Sequence, residues 1–138
     1  MEVFADTLYW IAIVRPDDSW AALARQARDS VKEAQLVTTD EVLSEFLTAL
    51  SAGGPKLRLT AARMARAILA SPDVRVVPQS RASFLTGIGQ YENRPDKSYS
   101  MVDSISMQTM RDAGIDRVLT NDRHFAQDGF TGLIAMKE

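Results

Sequence analysis

Apolar and polar positions along the chain come in short blocks that switch between strand-like and helix-like spacing. Residues 2–5 form a brief apolar run suited to a buried strand, and residues 8–14 follow at once as a short apolar helix. Pro16-Asp17-Asp18-Ser19 reads as a turn and helix start. The helix it opens covers about 19–34, with Trp20, Leu23, Ala24, Ala27 and Val31 on one face. Residues 36–38 (Leu-Val-Thr) read as a second strand.

The next helix carries Val42, Leu43, Phe46, Leu47 and Leu50. It is expected to start at Thr38, with Glu41 completing a capping box. Gly53-Gly54-Pro55 stops it. A long helix over 57–70 leads to a strand at 74–77 that ends at Pro78. Residues 81–91 read as helix, weakened by Gly87 and Gly89. After a loop at 93–96, Ser100 opens a helix through Ile105, Met107 and Met110, closed by the C-cap glycine Gly114. A strand at 117–119, a helical turn at 122–127 and a strand at 132–135 complete the pattern. Strands alternating with helices imply an α/β fold, a parallel sheet with helices on both faces.

The length of 138 residues suits one domain over 1–138, large enough to bury a core without disulfides. There is no cysteine, which excludes a disulfide framework, a zinc knuckle and a thiol nucleophile. No run approaches the roughly 18 apolar residues of a membrane span. The first residues meet an acid at once and lack a basic region, so a signal peptide is not expected. The expected location is cytoplasmic. A net charge of -2 does not suggest a general nucleic-acid binder. Contact with a polyanion must rest on a local patch or a bound metal.

The candidate chemistry lies in Asp6, Glu45, Asp103 and Asp122. Each follows an apolar run or sits early in a helix, so parallel strands would bring them to the sheet edge where α/β sites form. Carboxylates gathered in one crevice need counter-charge, and a hard divalent cation with oxygen ligands is the natural one.

Each acid also has an ordinary structural reading. Asp6 could cap the helix that follows it, Asp103 fits a capping box with Ser100, and Asp122 could cap the turn before Phe125. Glu45 borders an apolar stripe and is favoured over Glu41, which capping and helix-dipole pairing explain. His124 is the only histidine, and its setting suggests packing or a local hydrogen bond. Trp10, Trp20 and Tyr9 read as core. Lys56, Arg58, Arg63 and Arg66 lie in an acid-free stretch, either a solvated helix face or a phosphate-contacting patch. The glycines form neither a P-loop nor a dinucleotide fingerprint.

Four segments taken in order resemble a known family: Phe4-Ala5-Asp6-Thr7, residues 38–45 (Thr-Thr-Asp-Glu-Val-Leu-Ser-Glu), residues 96–103 (Asp-Lys-Ser-Tyr-Ser-Met-Val-Asp) and residues 119–125 (Leu-Thr-Asn-Asp-Arg-His-Phe). The chain resembles PIN-domain proteins and is similar to their VapC-type toxin ribonucleases. The resemblance covers nearly the whole length. It implies a three-layer α/β/α domain with a central, mainly parallel sheet of about five strands. It places an acidic site binding Mg²⁺ or Mn²⁺ on Asp6, Glu45, Asp103 and Asp122, with hydroxyls at Thr7 and Thr120 and a supporting acid at Asp96. It further implies endoribonuclease activity leaving 5′-phosphate and 3′-hydroxyl ends, homodimers and often a cognate antitoxin. Leu8 departs from the small polar residue that many members carry there.

A cation held by such acids suits hydrolysis by water activation and neutralisation of phosphate charge. A receiver-like phosphoacceptor wants an acidic pair after its first strand, whereas Asp6 stands alone before Thr7; an Asp-x-Asp phosphatase fails at Leu8. An RNA-processing nuclease of the same fold, or a silent RNA- or protein-binding module, remains as the alternative.

Overall fold

The first apolar run becomes the centre of the sheet. In the computed structural model, which describes residues 1–15 and 17–135, β1 (Glu2–Ala5) pairs with β2 (Gln35–Thr39) on one side and β4 (Arg117–Leu119) on the other. β3 (Val74–Val77) and β5 (Thr131–Gly132) form the edges. The order is β3-β2-β1-β4-β5 and every pairing is parallel. Val3, Phe4, Val37, Val118 and Leu119 are fully buried, as strands covered on both faces require. The architecture is three-layer α/β/α.

Parallel neighbours need long crossovers, and helices supply them. α1 (Thr7–Val14) and α2 (Ala21–Ser30) join β1 to β2; α3 (Asp40–Ala49) and α4 (Pro55–Ala70) join β2 to β3. α5 (Arg81–Asn93) and α6 (Met101–Ala113) carry the chain from β3 across to β4, on the far side of β1. α7 (Arg123–Gln127) leads to β5. The reversal of direction leaves a crevice beside β1 and β4, where open α/β sheets place their sites.

Three local expectations shift. The helix expected from residue 19 begins at Ala21, because the Asp18 carboxylate accepts the Trp20 N–H at 2.8 Å and holds a turn there. It ends at Ser30, and Arg28 ties the following turn by donating to the carbonyls of Val31 and Ala34. Pro16, part of the expected turn, lies outside the described residues. The cap of α3 is Thr39, whose hydroxyl accepts the Val42 N–H at 3.0 Å, not Thr38. The Thr38 hydroxyl is spent on the Ala5 carbonyl at 2.9 Å, so Glu41 sits one position too early to close a capping box. The last strand is Thr131–Gly132 rather than 132–135, although Leu133 and Ile134 still donate to Val118 and Thr120.

Gly87 and Gly89 both stay helical, for different reasons. A Cβ on Gly87 would lie 2.5 Å from Ile105 Cγ1, so its absence lets α5 approach α6; at Gly89 nothing lies within 4 Å. Gly87→Ala is therefore expected to destabilise the fold by about 1–3 kcal/mol through overpacking. Gly89→Ala should stabilise it by about 0.5–1 kcal/mol through helix propensity. Urea unfolding of the two variants checks this; equal effects would refute the close α5–α6 approach.

Candidate metal centre

β1 ends at Ala5 and Asp6 is the next residue, its N–H continuing the ladder to the Leu119 carbonyl at 3.4 Å. Asp6 occupies the N-cap position of α1, but its side chain makes no cap hydrogen bond. Its Oδ2 instead accepts the Thr120 hydroxyl at 3.0 Å. The Thr120 oxygen in turn accepts the Asp122 N–H at 3.1 Å, so one hydroxyl links the acids that follow β1 and β4. Thr7, on the first turn of α1, donates to Glu45 Oε1 on α3 at 2.5 Å.

Asp103 and Asp122 do cap helices. Ser100 and Asp103 form a reciprocal box at the start of α6, with bonds of 3.0 and 3.1 Å, and Asp122 Oδ1 accepts the His124 N–H at 2.9 Å. Capping uses one oxygen of each carboxylate and orients the group. It does not take the side chain out of the crevice. Asp6, Glu45, Asp103 and Asp122 all line one cleft of about 430 Å³, together with Thr7, Leu8, Ile11, Asp18, Trp20 and Ser100.

That lining contains five acids and neither lysine nor arginine. Asp6 feels the consequence most. Burial pushes its carboxyl up to about 7; the Thr7 backbone and Thr120 hydroxyl bonds pull it down, and the charges of Asp103 and Glu45 push it up again. An all-oxygen donor set with surplus negative charge fits a hard divalent cation. Ligand atoms of Asp103, Asp122 and His124 lie within 4.8 Å of one another.

The structure separates the other candidates from this cleft. Glu41 lies in a different groove with Ser80 and Arg81, its Oε2 accepting the Ser83 hydroxyl at 3.3 Å. Asp96 is exposed and pairs with Arg94 at 3.2 Å; none of its described contacts is to one of the four acids. Lys56, Arg58, Arg63 and Arg66 are exposed on α4 and do not line the cleft. Arg58 donates to the Ser51 carbonyl at 2.9 Å.

Sequence reasoning missed three features. Trp20, read as core, also forms part of the cleft wall with Leu8 and Ile11. His124, expected to pack or to make a local hydrogen bond, reaches Asp103, 21 residues away in sequence, at 3.1 Å. Asp128, not singled out at all, has a side chain only 2 % exposed and binds Arg94, Arg111, Tyr99 and Gln90. Burial alone would raise its carboxyl pKa, but the Arg111 bond, with Tyr99 and Gln90, holds it below the usual range. Its partners lie far off in sequence, so no spacing rule reveals it.

Comparison with known proteins gives a family and a solved relative. A family model described as PIN domain matches residues 3–130. The structure resembles the crystal structure of VapC20 from Mycobacterium tuberculosis, a sarcin–ricin-loop-cleaving toxin. The TM-score is 0.82 at 26% identity, over 94% of this chain and 96% of that one. No curated protein matches the sequence.

The raised carboxyl of Asp6 makes stability depend on pH. Unfolded, the group titrates near 3.8; folded, near 7. Between those values the folded protein holds the extra proton, so stability falls as pH rises through this window and levels off above it. Asp6→Asn removes the dependence. In metal-free buffer the variant should gain on the wild type by up to roughly 4 kcal/mol between pH 4 and pH 8. Parallel pH–stability curves for the two proteins would show that Asp6 is not held protonated.

Proposed function

The chain belongs to the PIN-domain family, and on that premise we propose that it is a single-domain, metal-dependent endoribonuclease of VapC type, the toxin of a toxin–antitoxin pair. The observation that carries this reading is the gathering of Asp6, Glu45, Asp103 and Asp122 in one cleft without a cationic side chain. Likeness to a loop-cleaving toxin over almost the whole of both chains favours a toxin over an RNA-processing nuclease. A silent binding module would have no need to keep four acids together against their repulsion.

In this reading Asp6, Asp103 and Asp122 hold Mg²⁺ or Mn²⁺, and Glu45 holds a water or a second ion. The cation, when bound, supplies water activation and neutralises charge on the phosphate oxygens. The protein's own groups do the rest. Thr120 fixes the Asp6 carboxylate and Thr7 fixes Glu45, so the acceptor oxygens are oriented before substrate arrives. Leu8, Ile11 and Trp20 give the same cleft an apolar portion, suited to an unstacked base of a single-stranded or loop RNA. Asp96, with Arg94, supports the loop before Ser98 from outside the cleft. The exposed cations of α4 would meet flanking phosphates. A homodimer, a cognate antitoxin and a cytoplasmic location complete the proposal; among the described residues no helix is long and apolar enough to cross a membrane.

Cleavage of a loop RNA should need Mg²⁺ or Mn²⁺ and fall in Asp6→Asn by more than about 100-fold, beyond what the loss of an outer partner costs. Mn²⁺ should raise the melting temperature of the wild type but not of Asp103→Asn. Cleavage that survives both EDTA and Asp6→Asn would overturn the proposal.

The α4 cations have their own test. In Asp103→Asn, removing Arg63 and Arg66, which share a helix face, should flatten the salt dependence of RNA affinity by a slope of about 0.7 per lost contact. Unchanged slopes would assign these arginines to a solvated face.

A further inference from the structure

The ring of His124 stands between two of the acids. Its Nδ1 is 3.1 Å from Asp103 Oδ2 and 3.5 Å from Asp122 Oδ1. Its backbone N–H is already bound to Asp122 Oδ1 at 2.9 Å. The far ring nitrogen, Nε2, is 3.3 Å from the Ser98 hydroxyl. An ionised carboxylate can only accept, so the imidazole donates from Nδ1; the neutral ring with its proton there accepts the Ser98 proton at Nε2, and a protonated ring would donate to the Ser98 oxygen. Both nitrogens are then used, and neither offers a lone pair to a cation.

Asp103 Oδ2 is used equally fully. It accepts the Ser100 N–H at 3.1 Å as well as His124 Nδ1. Among the described residues no hydrogen bond reaches Oδ1. Two donors on one oxygen stop the carboxylate from rotating and leave the other oxygen for the cleft.

The ring is itself braced. Tyr99 packs against it with centroids 5.2 Å apart, and the Tyr99 hydroxyl donates to Asp128 at 3.2 Å. Asp128 is anchored by Arg94 and Arg111, from the ends of α5 and α6. The ionic cluster thus holds Tyr99, Tyr99 holds the imidazole, and the imidazole holds Asp103.

We propose that His124 is a positioning residue for the metal centre: its Nδ1–H fixes Asp103 Oδ2 and so presents Oδ1 to the divalent cation, without His124 being a ligand. This rests on the metal reading above.

The test is Mn²⁺ affinity, measured by calorimetry on untagged protein with three side chains at this position. His124→Phe keeps the ring and loses the donor; its Mn²⁺ affinity should drop about 10–100-fold. His124→Asn places an amide N–H near the position of Nδ1 and should stay within a few-fold of the wild type. Affinity unchanged in His124→Phe, or equally weak in His124→Asn, overturns the inference. A second readout needs no variant. His124 is the only histidine, so electron spin-echo spectra of Mn²⁺-loaded wild type report on it alone. No directly bonded imidazole nitrogen is expected, and observing one would make His124 a ligand and overturn the proposal. Failure of the wild type to bind Mn²⁺ would remove the metal reading as well, whereas equal affinities would remove only this inference.

Discussion

Asp6 is 6% exposed at the end of the central strand, and the acidic side chains around it carry the same charge. An ionised carboxylate in such a place costs stability unless a cation or a proton compensates it. The fold supplies hydroxyl and amide donors but no lysine or arginine in the cleft lining. The remaining structure supports this one uncompensated site. The sheet presents it, the caps orient it, and the cluster around Asp128 connects to it through Tyr99 and His124.

The topology explains why such distant residues meet. β1 lies between β2 and β4, so the residues after each strand emerge on the same edge. Asp6 follows β1, Asp122 follows β4, and Glu45 comes from the helix after β2. Asp103 arrives from α6, whose start is fixed by the Ser100 box. Thr120 then joins Asp6 to Asp122 and Thr7 joins α1 to α3. The same side chains serve folding and site geometry: capping takes one oxygen of Asp103 and of Asp122 and aims the group that remains. Structural and functional readings of these acids therefore do not compete.

What was legible in the sequence was local. Apolar runs marked β1 to β4, the Ser100–Asp103 spacing marked the start of α6, and Gly114, at φ 69°, marked its end. Alternation of strand and helix carried the parallel sheet. Misplacements arose where a distant partner decided a local choice. Thr38 and Thr39 are equally good caps in isolation, and the Ala5 carbonyl claims Thr38. Asp18 delays α2 by binding the Trp20 N–H, and the Trp20 side chain lines the cleft as well as packing on the core. Asp128 and His124 acquire their roles only from partners brought by α5, α6 and the loop at Ser98 and Tyr99, and no periodicity encodes those contacts. That the four acids would share one cleft could be expected because strand ends in a parallel sheet have a known destination.

The most direct test of a shared cation site is an anomalous difference map from crystals grown with Mn²⁺. The account predicts a peak within coordination distance of oxygens from Asp6, Asp103 and Asp122, lost in Asp103→Asn. A map with no peak in this cleft at saturating Mn²⁺, or with Mn²⁺ bound only elsewhere, would contradict it.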